Sequence, residues 1–307
     1  MNVRSLVAAS TTRVLGTRAV AAAADRRWSG SLRIVAYHQV PDAGAFAAQV
    51  DLIRRRYVPV SEDDVREALA GGRALPERAV WVTFDDGDRS VIDTALPVLR
   101  AAGVPATLYV CPGLVETATP PWWELVLGAG AEGAGAEVGG RFLSGLALVT
   151  ALKQQPDGER RAVVDALGDA GRRHLDPDRM PVSGADLTRW LEAGYHLGNH
   201  TWDHPCLDQC SADEQRHQLE TAHAWLVAFG AGDRPTFAYP NGDHTDVAET
   251  VLEDLGYDVA LWFDHRRADL ERGGLRLSRL RLDSGASVPR ARAILSGAHS
   301  AAFSART

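Results

Sequence analysis

The sequence has few cysteines, no excess of positive charge and no long apolar run, and each shortage excludes a class of protein. Three cysteines cannot all pair with one another, so disulfides are not the framework of this fold. Acidic side chains outnumber basic ones by 40 to 33, for a net charge of −7. A nucleic-acid binder needs the opposite balance. No segment approaches the roughly 18 consecutive apolar residues of a membrane helix. The N-terminal stretch also lacks a clean hydrophobic region of the signal-peptide kind, because Arg13 and Arg18 interrupt its apolar runs. Residues 1–30 read as a loose amphipathic helix or frayed tail. The expected location is the cytoplasm, at most peripheral to a membrane, with export as the alternative.

What remains is an ordinary composition, 45% hydrophobic and 24% charged over 307 residues, which excludes disordered and collagenous chains. Short apolar or β-branched runs ending in polar residues recur at 32–38, 79–85, 106–111, 195–200, 236–240, 258–263 and 276–282. Helix-like stretches lie between them, at 45–56, 61–70, 91–102, 212–230 and 245–256. Alternation of this kind predicts an α/β fold. About seven strands suit a closed or nearly closed (β/α) barrel better than a short open sheet. Residues 120–181 break the rhythm and read as a partly helical insertion after the third strand. The expected division is a tail over 1–30, a single main unit over 31–285 and a C-terminal helix or tail over 286–307.

Two local patterns carry chemistry. TFDDG at 83–87 closes a predicted strand with adjacent carboxylates, Asp85 and Asp86. Like charges so close repel, so keeping both ionised requires a metal or another compensating charge. HTWDH at 200–204 follows another strand and spaces two imidazoles four residues apart. Pro205 disfavours helix at His204, which puts the pair on a turn or loop. A solvated Asp-Asp-Gly turn and two unrelated surface histidines are the plain alternatives. Taken together, the patterns point to Asp86, His200 and His204 around one ion, with a position left open for water as in catalytic sites.

These motifs, with FAYPNG at 237–242, Tyr37-His38, and Trp122-Trp123-Glu124, resemble the polysaccharide deacetylases, or NodB-homology domains, in the order expected of that family. The resemblance runs from about residue 32 to 282. It implies a distorted (β/α) barrel with a metal cleft at the strand C-terminal ends. It also implies hydrolysis of the N-acetyl group of an acetamido sugar in a polysaccharide or glycoconjugate, with release of acetate. An O-deacetylase on the same scaffold and a non-catalytic glycan-binding barrel are the alternatives. The expected ion is Zn²⁺, with Co, Ni, Fe or Mn as substitutes. By the same resemblance Asp85 is the general base, and the backbone N–H of Asn241 donates to the developing oxyanion. Tyr239, Trp122, Trp123 and Trp202 are candidate sugar contacts.

Two departures shift the expected roles. The family's third motif carries an Arg where this chain has Ala238, which leaves Arg279 on the late strand as the substitute. The late L-x-H motif is missing, since His299 in LSGAH has the wrong spacing. His38 is then the expected proton donor, with His244 as its nearer rival and His265 as a second. Gly128-Ala-Gly-Ala-Glu-Gly133 formally matches G-x-G-x-x-G, but it follows no clear strand and is read as a flexible insertion. Cys206 and Cys210 are read as structural.

Overall fold

The computed structural model describes residues 16–175 and 180–304. Its centre is an eight-stranded parallel sheet curled into a distorted barrel. The strands are β1 (Arg33–Tyr37), β2 (Val58–Pro59), β3 (Ala79–Phe84) and β4 (Ala106–Val110). After a separate antiparallel hairpin, β5 (Gly135–Val138) and β6 (Arg141–Ser144), come β7 (His196–Asn199), β8 (Phe237–Ala238), β9 (Ala260–Leu261) and β10 (Leu280–Arg281). The lateral order is β10-β1-β3-β4-β7-β8-β9, with β2 added beside β3. The seven expected strands are all present. β2 was not anticipated, because a two-residue strand containing Pro59 leaves no periodicity to read.

Alternation along the strands sorts side chains into two layers. Val35, Tyr37, Val80, Val82, Phe84, Leu108 and Val110 pack with Phe46, Ile53, Leu99 and Trp190 of the surrounding helices. Ile34, Trp81, Tyr109, Ala238, Leu261 and Leu277 form the other layer, inside the barrel. Asp85 continues the parity of Ala79 and Trp81, so it faces the interior rather than the helices. Parallel pairing also aligns the strand ends: Tyr37 lies opposite Phe84, Val110 opposite Asn199, and Ala238 opposite Leu261. The residues just beyond those ends therefore gather on one rim.

Closure is completed by a short segment that changes partners. Leu277 pairs with β9, its N–H donating to Ala260 O at 3.1 Å and its carbonyl accepting from Trp262 N at 2.8 Å. Three residues later β10 has crossed to β1, where Leu280 lies opposite Val35. Arg279 falls between these two attachments.

The insertion has its own apolar core, in which Trp122, Leu125, Val126, Leu148, Leu152, Val164 and Leu167 meet. Its Gly/Ala-rich stretch, expected to be flexible, instead begins as the helix Trp122–Ala131. That helix crosses the helix Asp157–Arg172 so closely that a Cβ on Gly128 would sit 2.5 Å from Gly171 O. Gly139 and Gly140, at φ 59° and 72°, then make the tight turn between β5 and β6. No helix among the described residues is long and apolar enough to cross a membrane.

At the opposite end of the barrel, Glu62 is buried and accepts hydrogen bonds from Thr107 at 3.1 Å and Thr236 at 2.9 Å. Burial raises its pKa and outweighs the opposing charge of Arg66. A carboxyl that binds its proton more tightly when folded contributes stability below the ordinary Glu range, and that contribution fades as pH rises through the raised value. Glu62→Gln keeps an acceptor for both hydroxyls and removes the charge. Its melting temperature relative to the parent should therefore rise on going from pH 5 to pH 8. A difference that does not change with pH would exclude a charge penalty at Glu62.

Candidate functional site

The rim residues converge. Asp86 Oδ1 lies 3.4 Å from Nε2 of His200 and 3.4 Å from Nε2 of His204, and the three ligand atoms fall within 4.8 Å of one another. Asp86 Oδ1 is buried and has no hydrogen-bond partner in the protein among the described residues. His200 Nδ1 lies 2.7 Å from Ala238 O, a bond that puts the proton on Nδ1 and leaves Nε2 as a lone-pair donor. Burial lowers the pKa of His204, with Asp86 opposing, which favours the neutral imidazole a metal requires. Two neutral imidazoles and a carboxylate with an unsatisfied oxygen fit a divalent cation.

Local structure explains how the HTWDH segment presents both rings. It is a loop: Trp202 N and Asp203 N donate to Gln218 Oε1 at 2.9 and 3.1 Å, and Thr201 N donates to Asn199 Oδ1 at 2.8 Å. Asp203 is also clamped by Arg161, whose Nη1 and Nη2 reach it at 2.8 and 2.9 Å. Asp86, Thr201, His204, Asn241 and His265 all adopt left-handed φ, between 56° and 71°. Such conformations cost about 1–3 kcal/mol each and persist where the surroundings over-determine them. Their concentration around one cleft indicates that geometry there is held against local preference.

The neighbouring carboxylate has a different partner. Asp85 Oδ1 accepts from Arg279 Nη1 at 2.7 Å, with both side chains almost wholly removed from solvent. Arg279 also donates from Nη1 to Thr83 Oγ1 at 3.3 Å and from Nε to Trp262 O at 3.0 Å. Its guanidinium lies 5.7 and 5.5 Å from the ring centroids of Tyr109 and Phe263. Burial pushes the Asp85 carboxyl up, but the charges of Arg279, His200 and His38 outweigh it and hold the pKa low. For Asp86, burial is likewise overcome, here by the two imidazoles of His200 and His204 that face it, and the pKa falls well below the carboxylate range. Each carboxylate is stabilised by its own set of cations or donors, as the Asp-Asp pattern requires.

Above these groups is a cleft of about 540 Å³, lined by His38, Asp85, Asp86, Trp123, His200, His204, Tyr239 and Asn241. His38 also packs edge-on against Phe263, with ring centroids 5.5 Å apart. Two of the candidate sugar contacts are elsewhere. Trp122 is buried in the insertion core, where its Nε1 donates to His204 O at 3.2 Å. Trp202 packs against Gly113, so closely that a Cβ there would sit 2.5 Å from its indole nitrogen. Both rings serve packing beneath the loop, while Trp123 forms the wall. His244 is turned away, with Nε2 2.7 Å from Glu249 Oε2.

His265, the second rival to His38, also lines the cleft, and the cleft residues missed by sequence reasoning are Phe263, Arg281, and the insertion side chains Leu127, Leu146, Val149 and Lys153. Lys153 was available as a compositional signal, since it is the only lysine in the chain. Cys206 and Cys210 are free thiols rather than ligands in the cluster.

The fold is a distorted (β/α) barrel whose rim carries three side chains that could hold a metal ion, and comparison with known proteins gives the family. The chain belongs to the polysaccharide deacetylases: the model of that family matches residues 72–260. The match includes Asp85, Asp86, His200, His204 and Asn241 but neither His38 nor Arg279. Among curated proteins, the chain is 44% identical over 61 residues to the poly-β-1,6-N-acetyl-D-glucosamine N-deacetylase of Escherichia coli (strain K12), covering 20% of this chain and 9% of that protein. It is 32% identical over 76 residues to the peptidoglycan-N-acetylmuramic acid deacetylase PdaC of Bacillus subtilis (strain 168), covering 25% and 16%. The matched regions are thus a small part of those longer relatives. The fold is similar to that of the Streptococcus pyogenes deacetylase PplD, solved with acetate, at a TM-score of 0.61, 18% identity and coverage of 85% of this chain and 96% of that one. IcaB from Ammonifex degensii superposes at 0.57, with 20% identity and coverage of 87% and 97%.

Two substitutions separate the adjacent carboxylates. Asp86→Ala should weaken Zn²⁺ binding by more than the 10–100-fold typical of losing an outer-shell partner. Asp85→Asn should leave Zn²⁺ affinity within a few-fold of the parent. Competition with a chromophoric chelator measures both, and equal affinities would refute the separation. Arg279→Met strands a buried carboxylate and should cost about 3–5 kcal/mol in denaturant unfolding. A loss below ~1 kcal/mol, the size of an exposed pair, would refute that.

Proposed function

We propose that this chain is a metal-dependent N-deacetylase that removes the acetyl group from an acetamido sugar of a polysaccharide or glycoconjugate, releasing acetate. The observation that carries this reading is the division of partners between adjacent carboxylates, Asp86 with two imidazoles and Asp85 with Arg279. The names of the two curated relatives, which specify N-acetylglucosamine polymer and N-acetylmuramic acid, support an acetamido sugar as the substrate class.

Amide hydrolysis needs a nucleophilic water, stabilisation of charge on the carbonyl oxygen and a proton for the departing nitrogen. Asp86, His200 and His204 hold the ion; Zn²⁺ suits this donor set, with Co²⁺, Ni²⁺, Fe²⁺ or Mn²⁺ as substitutes. When bound, such an ion supplies Lewis acidity and lowers the pKa of water toward ~7. Asp85 is the base. Arg279 fixes one of its oxygens and keeps it ionised, so the other accepts the proton of water. His38 is the acid. It lines the cleft, and its charge bears on both Asp85 and Asp86. A histidine, with an ordinary pKa near 6.5, releases and regains a proton around neutral pH. The Asn241 N–H donates to the oxyanion, and Trp123 and Tyr239 flank the sugar.

Protein stripped by a strong chelator should lose acetate release and regain it with Zn²⁺ or Co²⁺, whereas full activity without metal would overturn the reading. One primary amine should form per acetate. Acetate without amine would assign an O-ester substrate, and sugar binding without acetate release would assign a glycan-binding barrel. His38→Ala should retain metal and lose about 10²–10⁴-fold in kcat on an N-acetyl sugar. The loss should be far smaller on an activated aryl acetate, whose leaving group hardly needs a proton. A change of only a few-fold on the amide would remove His38 from the mechanism.

A further inference from the structure

The charges lining the cleft do not cancel. Its two carboxylates are both engaged, Asp85 by Arg279 and Asp86 by His200 and His204. Its two long cations, Lys153 and Arg281, have neutral partners only. Lys153 stands at the end of the insertion helix Gly145–Leu152, and one ammonium proton goes to Asn241 Oδ1 at 2.5 Å. Arg281, on β10, lies exposed with its guanidinium 5.9 Å from the Phe263 ring centroid. Among the described residues neither cation has a carboxylate within 4.0 Å: Asp283, two residues from Arg281, forms no ion pair with it, and Asp243 lies near enough to Lys153 to feel its charge but not to pair with it. The chain uses lysine only here. A divalent cation at the metal centre adds to the positive excess.

A neutral acetamido sugar makes no use of two cations that lack a carboxylate within ion-pair distance. A sugar carrying an anionic group does: a carboxylate or phosphate accepts from the guanidinium fork in pairs and from the ammonium as a point charge. Cations in a narrow cleft with low-dielectric walls also focus their field on an approaching anion. The apolar side chains Leu146 and Val149 stand on the same wall as Lys153 and leave the ammonium as the polar feature of that side.

We propose that Lys153 and Arg281 are specificity-determining residues that select an acetamido sugar bearing an anionic substituent, a carboxylate or a phosphate, for the acetyl-removing reaction proposed above, on which this inference rests. Lys153 also bonds the side chain of Asn241, the residue whose N–H meets the oxyanion in that reaction.

The test uses the full-length protein in two states. In metal-free protein, where turnover does not intervene, isothermal titration compares an N-acetylglucosamine oligomer with the same oligomer carrying a 3-O-lactyl carboxylate and with N-acetylglucosamine 1-phosphate. At least one anionic ligand should bind with a Kd about tenfold or more below the neutral one. The better of the two identifies the group. The preference should shrink as NaCl rises from 20 to 300 mM. Lys153→Met with Arg281→Met should bring the ratio close to one, and Lys153→Arg should restore part of it to a Lys153→Met chain. Equal affinities in the parent, or a preference that the double substitution leaves in place, would overturn the inference. Zn²⁺-loaded protein then separates this result from the reaction itself. Acetate release from the neutral oligomer with no anionic preference would discard the selection and keep the deacetylase. Anionic preference with no acetate from any ligand would do the reverse.

Discussion

Two consecutive carboxylates, both withdrawn from water, impose the constraint on which the rest of the structure depends. Neither can stay ionised on solvent alone, and each lowers the other's tolerance for charge. The fold meets this by sending them in different directions. Asp85 keeps the strand's alternation and faces the barrel interior, where Arg279 waits. Asp86 takes a left-handed turn, φ 71°, and faces two imidazoles from a loop on the far side of β4. Parallel strands with aligned C-terminal ends bring these partners to one rim, and the barrel's curvature brings them within contact.

What the sequence made legible follows from how local each feature is. Asp85 and Asp86 are adjacent, and His200 and His204 are four apart, so a short window contains each pair. The strands before them announce themselves by apolar, β-branched runs. Arg279 was reachable only by reasoning about a missing Arg at Ala238, since its bond to Asp85 spans 194 positions. Lys153 and Arg281 gave no pattern at all. Their place at the cleft depends on how the insertion packs over the rim and on where β10 crosses, which no local period encodes. The aromatic candidates divide for the same reason. Trp122 and Trp123 are neighbours on a helix and so point to different sides, one into the insertion core and one into the cleft.

The Gly-rich region shows where composition misleads. Read for flexibility, the stretch from Gly128 loosens the chain. In the fold Gly128 and its partner Gly171 are absences of side chain that let two helices touch backbone to backbone, which makes the insertion firm enough to carry Lys153 and Leu146 to the cleft. The late strands differ from expectation in the other direction. Strand-like runs of five to seven residues are read at 236–240, 258–263 and 276–282, yet the strands found there span only two residues each, because the curled sheet meets its neighbours briefly and the adjoining residues, Tyr239, Trp262 and Arg279, lie just outside the strands.

The segment that closes the barrel is also the segment that supplies the cation for Asp85. During synthesis the aspartate pair emerges long before Arg279, and a domain of this topology cannot complete its non-local contacts until the last strand is available. A nascent or truncated chain that ends short of β10 therefore carries two acidic groups with one of them uncompensated, next to an unpaired edge of β1. Charge balance and completion are thereby tied together: one late segment both compensates the buried Asp85 and covers the edge of β1, so a partly made chain lacks both at once.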